Sequence, residues 1–272
     1  MMRHFSGLCL FLTILVLREV STQDERTKIV GGTEAAPGEF PFVVALYLNN
    51  TEGEVHFHCG ASLISRHYAV TGAHCVQGWS AWRFKIVAGT VDLENPSSAT
   101  QEILVEEVIE YELFHFEVGT AIPTNDVALL KLQGEGASGT GTGFISVVGQ
   151  DQELPVGSSC TVLGWGATQD GGAMSPTLRK VDVVVQDQAT CFESYNYLFR
   201  PTMLCAGYPE GGADACQGDS GGPLICGGEL HGVVSWGDGC AKPQKYGIYT
   251  RLAVFSDWVE KHNFVLGYPD DE

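Results

Sequence analysis

Charge is scarce in this chain, and cationic charge scarcer still. Only 18% of its 272 residues are charged, with 15 Lys and Arg against 33 Asp and Glu, for a net charge of −18. Such an acidic balance argues against nucleic acid or an anionic membrane as partner; it favours basic substrates, though solubility is the simpler reading. Long apolar runs are missing too. The run Leu8–Leu17, led by Arg3 and His4, is shorter than the roughly 20 residues a spanning helix needs. Followed by polar residues, it reads as an export signal over residues 1–21, with Ser21 and Thr22 at a plausible cleavage neighbourhood. There is no CxxC pair, so the cysteines do not suggest zinc.

What is present is apolar and rich in turns: 44% hydrophobic residues and 34 glycines, enough for a substantial core in one or two domains. Cys9 leaves with the signal, and Cys59, Cys75, Cys160, Cys191, Cys205, Cys216, Cys226 and Cys240 remain. An even number on an exported chain predicts disulfides, in pairings the sequence alone leaves open. Residues 22–28, including Asp24, Glu25 and Arg26, have no apolar pattern and read as a short propeptide. Short strands are predicted at 42–48, 61–64, 68–70, 84–87, 127–132, 161–163, 181–185, 223–225 and 232–235, separated by Gly, Asn and Pro, the spacing of barrels or sandwiches. The glycine-rich stretch 134–143 reads as a flexible connection, and a domain boundary is placed near residue 140. It is not a phosphate loop, since Phe144 follows it and no crossover helix does. One helix is predicted over Val254–His262, where Phe255 with Val259 and Val254 with Trp258 form i, i+4 pairs.

The chemistry concentrates in Gly218-Asp219-Ser220-Gly221-Gly222-Pro223. A serine between glycines sits on a tight turn, with an uncrowded hydroxyl and backbone N–H groups free to face a developing negative charge. Serine needs a histidine base and a carboxylate to orient that base. His74, in Thr71-Gly72-Ala73-His74-Cys75, and Asp126, before the apolar run Val127–Leu132, are the candidates. Each has a plain alternative: a core histidine, a turn aspartate, a loop hydroxyl. Together, in the order His, Asp, Ser, they point to nucleophilic catalysis. The same stretch fits GxSxG, but the nucleophile elbow needs its acid and histidine after the serine and a chain of alternating strands and helices, which is absent here.

From Ile29-Val30-Gly31-Gly32 to its C-terminal helix, the chain resembles the trypsin-like serine proteases of the chymotrypsin family, made as secreted zymogens. The resemblance implies an all-β fold of two antiparallel six-stranded β-barrels with a C-terminal helix, a peptidase domain over 29–272, and a first barrel of about 29–140 before a second of about 141–272. It implies His74 as base, Asp126 as its orienting acid and Ser220 as nucleophile, with an oxyanion hole made by the backbone N–H groups of Gly218 and Ser220. It implies disulfides Cys59 to Cys75, Cys160 to Cys226, Cys191 to Cys205 and Cys216 to Cys240, none of which ties down the propeptide. Asp214 falls at the base of the primary pocket, Gly237 and Gly247 keep it open, and Ser235-Trp236-Gly237 pairs with substrate backbone, Ser235 also supporting Asp126. A buried carboxylate favours Arg or Lys before the cut. Ala215 replaces a common serine, which removes an acceptor for an ammonium and favours arginine, whose guanidinium binds a carboxylate bidentately. Lys28-Ile29 reads as the activation bond, the new Ile29 ammonium pairing with Asp219.

The expected protein is therefore a secreted, monomeric endopeptidase that needs no cofactor or metal, acts on Arg/Lys-containing proteins, and meets an activating protease and protein inhibitors. The alternative is a non-catalytic homologue that binds partners through the same fold. Gly72 and Ala61 depart from the usual alanine and glycine, and both stay small. The loop 90–100 carries Thr90 and Thr100 in place of calcium-binding glutamates, although Asp92, Glu94 and Glu102 are near. Tyr246 stands where proline is common, a weak hint of sodium. Asn49-Asn50-Thr51 is a glycosylation sequon on an expected exposed turn, whereas Asn95-Pro96-Ser97 is blocked by proline. His56 and His58 alternate before Cys59 without a third ligand, the pattern of a surface strand.

Overall fold

The strand Val43–Asn49 does not alternate apolar with polar because both of its faces are buried. Val44, Leu46 and Leu48 fill the interior of one barrel, while Val43 and Ala45 pack outward against Leu163 and Trp165 of the other. The chain Val127–Leu132 behaves likewise: Ala128, Leu130 and Leu132 point inward, and Val127 and Leu129 join Leu230, Val233, Phe255 and Val259. Burying one such Leu or Val contributes about 1.5–3 kcal/mol. These two runs therefore fix how the halves meet.

The structure is a computed structural model and describes residues 30–264. The expected signal, propeptide and Lys28-Ile29 bond lie outside the described residues, as does the stretch after residue 264. The first half contains β1 (Thr33–Glu34), β2 (Val43–Asn49), β3 (Val55–Leu63), β4 (Tyr68–Thr71), β5 (Phe84–Ala88), β6 (Gln101–Glu110), β7 (His115–Phe116), β8 (Pro123–Thr124) and β9 (Ala128–Leu132). The second contains β10 (Ser159–Gly164), β11 (Arg179–Val184), α1 (Gln188–Tyr195), β12 (Met203–Ala206), β13 (Pro223–Cys226), β14 (Glu229–Trp236), β15 (Gly247–Arg251) and α2 (Ser256–Phe264). Strands β2, β3, β4, β9, β6 and β5 close into an antiparallel barrel. The other sheet runs β1-β11-β10-β13-β14-β15-β12. A bridge between Val185 and Ala206, with Gly207 N–H donating to Val184 O at 3.0 Å, joins its ends into a second six-stranded ring. Strand β1 is an extra strand on that ring, so Thr33–Glu34, which precede the first barrel, pair with the second. The segment that leads into α2, with its first turn, packs across both: Phe255 and Val259 sit among Tyr68, Val70, Leu230 and Val233.

Three sequence expectations change. The stretch 134–143 has no helix or strand but is not a loose connection: Ala137 N–H donates to Arg66 O at 2.7 Å, Gly143 N–H donates to Pro41 O at 3.1 Å, and Ala137 is buried. The glycines allow this close strapping, since a Cβ on Gly136 would collide with the Arg66 carbonyl. The C-terminal helix begins at Ser256, after a 3-10 turn over Leu252–Val254. Helix α1, absent from the sequence reading, buries only Cys191 and Tyr195 and begins at Asp187, whose side chain accepts from Thr190 N–H. All four expected disulfides are present, Cys59 to Cys75, Cys160 to Cys226, Cys191 to Cys205 and Cys216 to Cys240. Among the described residues no helix is long and apolar enough to cross a membrane.

Candidate active site

Strand β4 ends at Thr71, and a 3-10 turn over Ala73–Cys75 lifts His74 onto the rim of the first barrel. The turn is anchored twice: Thr71 Oγ1 donates to Gly60 O at 2.8 Å, and Cys75 is cross-linked to Cys59 of β3. The imidazole lies over Gly72, where an added Cβ would come within 2.9 Å of Nδ1 and Cε1. Asp126 enters from the left-handed Asn125, at φ 56°. Its Oδ1 accepts from the His74 backbone N–H at 2.9 Å, and its Oδ2 pairs with His74 Nδ1 at 2.7 Å. An ionised carboxylate can only accept, so Nδ1 carries the proton and Nε2 is left as the acceptor.

The second barrel completes this carboxylate's surroundings. Register shifts between Val234 and Trp236 in β14, and the bulge directs Ser235 Oγ to Asp126 Oδ2. Thr250 Oγ1 of β15 donates to the Asp126 carbonyl at 2.6 Å. Burial works against the Asp126 charge, but its bonds to His74 and Ser235 outweigh it and hold the carboxyl below the ordinary range. Burial likewise opposes a charged His74, and the Asp126 charge and hydrogen bond prevail, so its pKa is raised.

The turn carrying Ser220 is seated on the same rim. Gly218 and Gly221 have φ 94° and 76°. A Cβ on Gly221 would run into Thr71 Oγ1 and come within 3.1 Å of Cys75 Sγ. Glycine thus lets the loop press against the residues flanking His74. Gly60 N–H donates to Ser220 O at 2.8 Å, and Gly221 N–H to Val234 O at 2.9 Å. Beneath the turn, Asp219 is fully buried and accepts from the N–H groups of Gly166 and Cys216, each at 2.8 Å. Gly164 and Gly166 leave the space this carboxylate fills. Burial, against those two bonds, pushes its pKa up to about 7.

Beside Ser220 opens a cavity of about 210 Å³, floored by Asp214 and walled by Ala215, Trp236, Gly237, Gly247 and Tyr249. Asp214 is 3% exposed. Its Oδ2 accepts from Ala241 N–H at 3.0 Å, while Oδ1 has no partner. Burial raises its pKa to about 7, against the nearby N–H groups of Ala241 and Ala215. The Tyr249 hydroxyl is also buried without a partner. A Cβ on Gly247 would lie 2.5 Å from Asp214 Oδ1, whereas one on Gly237 would meet only Gly239 O, at 3.4 Å, and would reach into the cavity. The first described residue, Val30, reaches this region. Val30 packs with Ala167, Cys216 and Cys240, and Asp214 N–H donates to Val30 O at 3.4 Å. Ile29 and Lys28 lie outside the described residues.

The remaining candidates separate clearly. His58 Nε2 is bonded to Cys75 O at 2.8 Å, with the exposed His56 ring 6.1 Å away. Among the described residues one tight group of metal-ligand types occurs, Cys59, His74 and Cys75, and its two thiols are spent on a disulfide. Asp92 accepts from the N–H groups of Glu94 and Asn95 in its own loop. Tyr246 is buried, and its carbonyl accepts from Tyr195 OH at 2.6 Å. Asn49 is half-buried with Oδ1 enclosed and unbonded, so the exposed turn begins at Thr51 instead. Sequence reasoning missed Thr250, Tyr249, Ala241 and the Gly164 and Gly166 cradle, which act only through tertiary approach.

A family model described as Trypsin matches residues 29–259. The chain is 38% identical over 241 residues to Trypsin-1 of Astacus astacus, covering 85% of this chain and 98% of that one. It is 36% identical over 252 residues to Anionic trypsin of Canis lupus familiaris, covering 92% and 96%, and 35% identical over 237 residues to Vitellin-degrading protease of Bombyx mori, covering 86% and 85%. With this site geometry and these relatives together, the chain belongs to the trypsin family and is a serine endopeptidase, a hydrolase of protein chains.

Proposed function

We propose that the protein is a secreted zymogen which, once cleaved between Lys28 and Ile29, hydrolyses peptide bonds after arginine, and less readily after lysine. Asp214 carries this reading: a carboxylate buried at the floor of a cavity, with Oδ1 unpaired, seeks a cation with N–H donors. A guanidinium supplies a planar pair of donors. An ammonium would need the further acceptor that Ala215 does not provide.

His74 takes the Ser220 proton through Nε2, and Asp126 holds the tautomer and stabilises the imidazolium. Ser220 Oγ attacks the carbonyl carbon, and the acyl-enzyme is then released by water. The N–H groups of Gly218 and Ser220 stabilise the oxyanion, each worth about 2.7–4 kcal/mol. In the uncut chain residue 29 is preceded by Lys28 and has no α-ammonium. After cleavage that ammonium pairs with Asp219 and orders the turn above it. A free α-amino group titrates near about 7.7–8.0. Pairing raises this value, so the stabilisation is full below the unpaired value and is lost as pH rises through the raised one. An activating protease with basic specificity and protein inhibitors are the implied partners.

Matched Arg and Lys amide substrates, assayed before and after limited cleavage at Lys28 with Ser220→Ala as control, test the proposal. Activity only after cleavage, faster on arginine and absent from the control, is the expected result. A cleaved chain that is inactive and unlabelled at Ser220 by a serine-directed probe would favour the non-catalytic homologue.

A further inference from the structure

The chain has four methionines, Met1, Met2, Met174 and Met203. Of the two in the described residues, Met203 is 3% exposed, packed beside helix α1 with Tyr195, Phe199 and Tyr246, and Met174 is 52% exposed. Met174 is held against the Ser220 turn. Its residue bridges Ala167, and the next N–H, of Ser175, donates to Trp165 O at 3.0 Å. Its Sδ and Cε each lie 3.3 Å from where a Cβ on Gly218 would stand, with Gly166 Cα at 3.1 Å from the same point. Gly218 is therefore boxed between the Gly166 backbone and the Met174 thioether. All eight described cysteines are in disulfides, so among the described residues no free thiol competes for an oxidant.

We propose that Met174 is an oxidation site through which a hydroperoxide reversibly lowers turnover. The Sδ lone pair attacks the terminal peroxide oxygen. The O–O bond breaks, an S–O bond forms, and the leaving alkoxide takes the hydroperoxide proton to depart as an alcohol, or as water from hydrogen peroxide. Sulfur loses two electrons and the peroxide gains them. The product is a polar, chiral sulfoxide in place of an apolar thioether. Its oxygen is a strong acceptor set beside Gly218, whose N–H is the proposed oxyanion donor. The acceptor competes with the developing oxyanion for that N–H and leaves the Asp214 cavity untouched. This inference rests on the oxyanion role given to Gly218 above.

The test treats the enzyme, cleaved after Lys28, with dilute hydrogen peroxide under native conditions. Peptide mass mapping locates the added oxygen, and kcat and KM are measured on a small arginine amide. Turnover of the untreated sample reads the proposed function by itself; the ratio of treated to untreated kcat reads this inference. The expected result is oxygen added at Met174 but not at Met203, with a kcat loss of about ten- to a hundredfold, within what one oxyanion donor supplies. KM should change far less. Methionine sulfoxide reductases, one for each epimer, should restore kcat, and Met174→Leu should keep its own starting activity through the same treatment. Oxygen at Met174 without loss of kcat would overturn the proposal. So would an equal loss in Met174→Leu, which would place the sensitive group elsewhere, for example at the exposed Trp82.

Discussion

Each barrel buries a carboxylate beside the cleft, and the two are solvated in opposite ways. Asp126, 2% exposed, receives bonds from the His74 backbone, His74 Nδ1 and Ser235. Asp214, 3% exposed, accepts one hydrogen bond, from Ala241 N–H, with Oδ1 left unbonded and the Ala215 N–H nearby. Their pKa values diverge: against burial, the His74 charge and its hydrogen bonds hold Asp126 below the carboxylate range, and burial pushes Asp214 up to about 7. A buried charge whose oxygens are bonded can position its neighbours, whereas one with an unbonded oxygen favours a cation beside it. The contrast lies in partners rather than in depth.

The largest expected effect breaks the satisfied member. Asp126→Asn keeps the shape but loses the charge that fixes the Nδ1–H tautomer, and kcat should fall about 10⁴-fold, as this change does in serine-protease triads. With His74 as the proposed base its neutral form is the working one, so wild-type activity should rise with pH through a raised imidazole pKa. In Asp126→Asn the residual activity should rise at lower pH, since only burial then acts on the ring. A pH profile of kcat measures both.

Breaking the unsatisfied member should cost less activity and add stability. Asp214→Asn should lower kcat/KM on arginine substrates by about 10²–10³-fold, the loss of a buried ion-pair partner, with little change on a small unspecific ester. A carboxyl whose folded pKa is raised holds its proton more tightly folded than unfolded. Its burden on stability is therefore absent below the unfolded value near 3.8, grows as pH rises, and is complete above about 7. Thermal or urea unfolding at pH 8 should show Asp214→Asn more stable by on the order of 1–3 kcal/mol, with no gain at pH 3.5. The smallest effect belongs to a half-buried carboxylate at the surface. Glu117, beside β7, pairs with Arg200 of the other half at 2.6 Å, and Glu117→Gln should cost under about 1 kcal/mol.

How far the sequence could be read follows the same division between local and tertiary causes. His74, Asp126 and Ser220 stand in motifs whose neighbours announce them, and β2 and β9 were legible because both faces are apolar. Strand β6 was missed because Glu102, Leu104 and Glu106 are exposed while Ile103 and Val105 point inward, and a bulge between Val105 and Glu107 then breaks the alternation. Strands β12 and β15 were also passed over. The second barrel's closure rests on a single bridge and its flanking bonds, which no periodicity encodes. The lone oxygen of Asp214 was equally hidden, because it depends on what Ala241, Gly247 and Tyr249 bring to it across the fold.

The most direct test of the unsatisfied carboxylate is calorimetric binding of a small aryl amidinium to the cleaved enzyme, repeated in buffers of different ionisation enthalpy. Because burial pushes the Asp214 pKa up to about 7, binding at pH 7 should release about half a proton, as the cation forces the carboxyl to ionise. At pH 8.5 release should vanish, and Asp214→Asn should neither release a proton nor bind comparably. Equal affinity across this range with no proton released would mean that Asp214 is already charged and satisfied, and the contrast between the two carboxylates would fail.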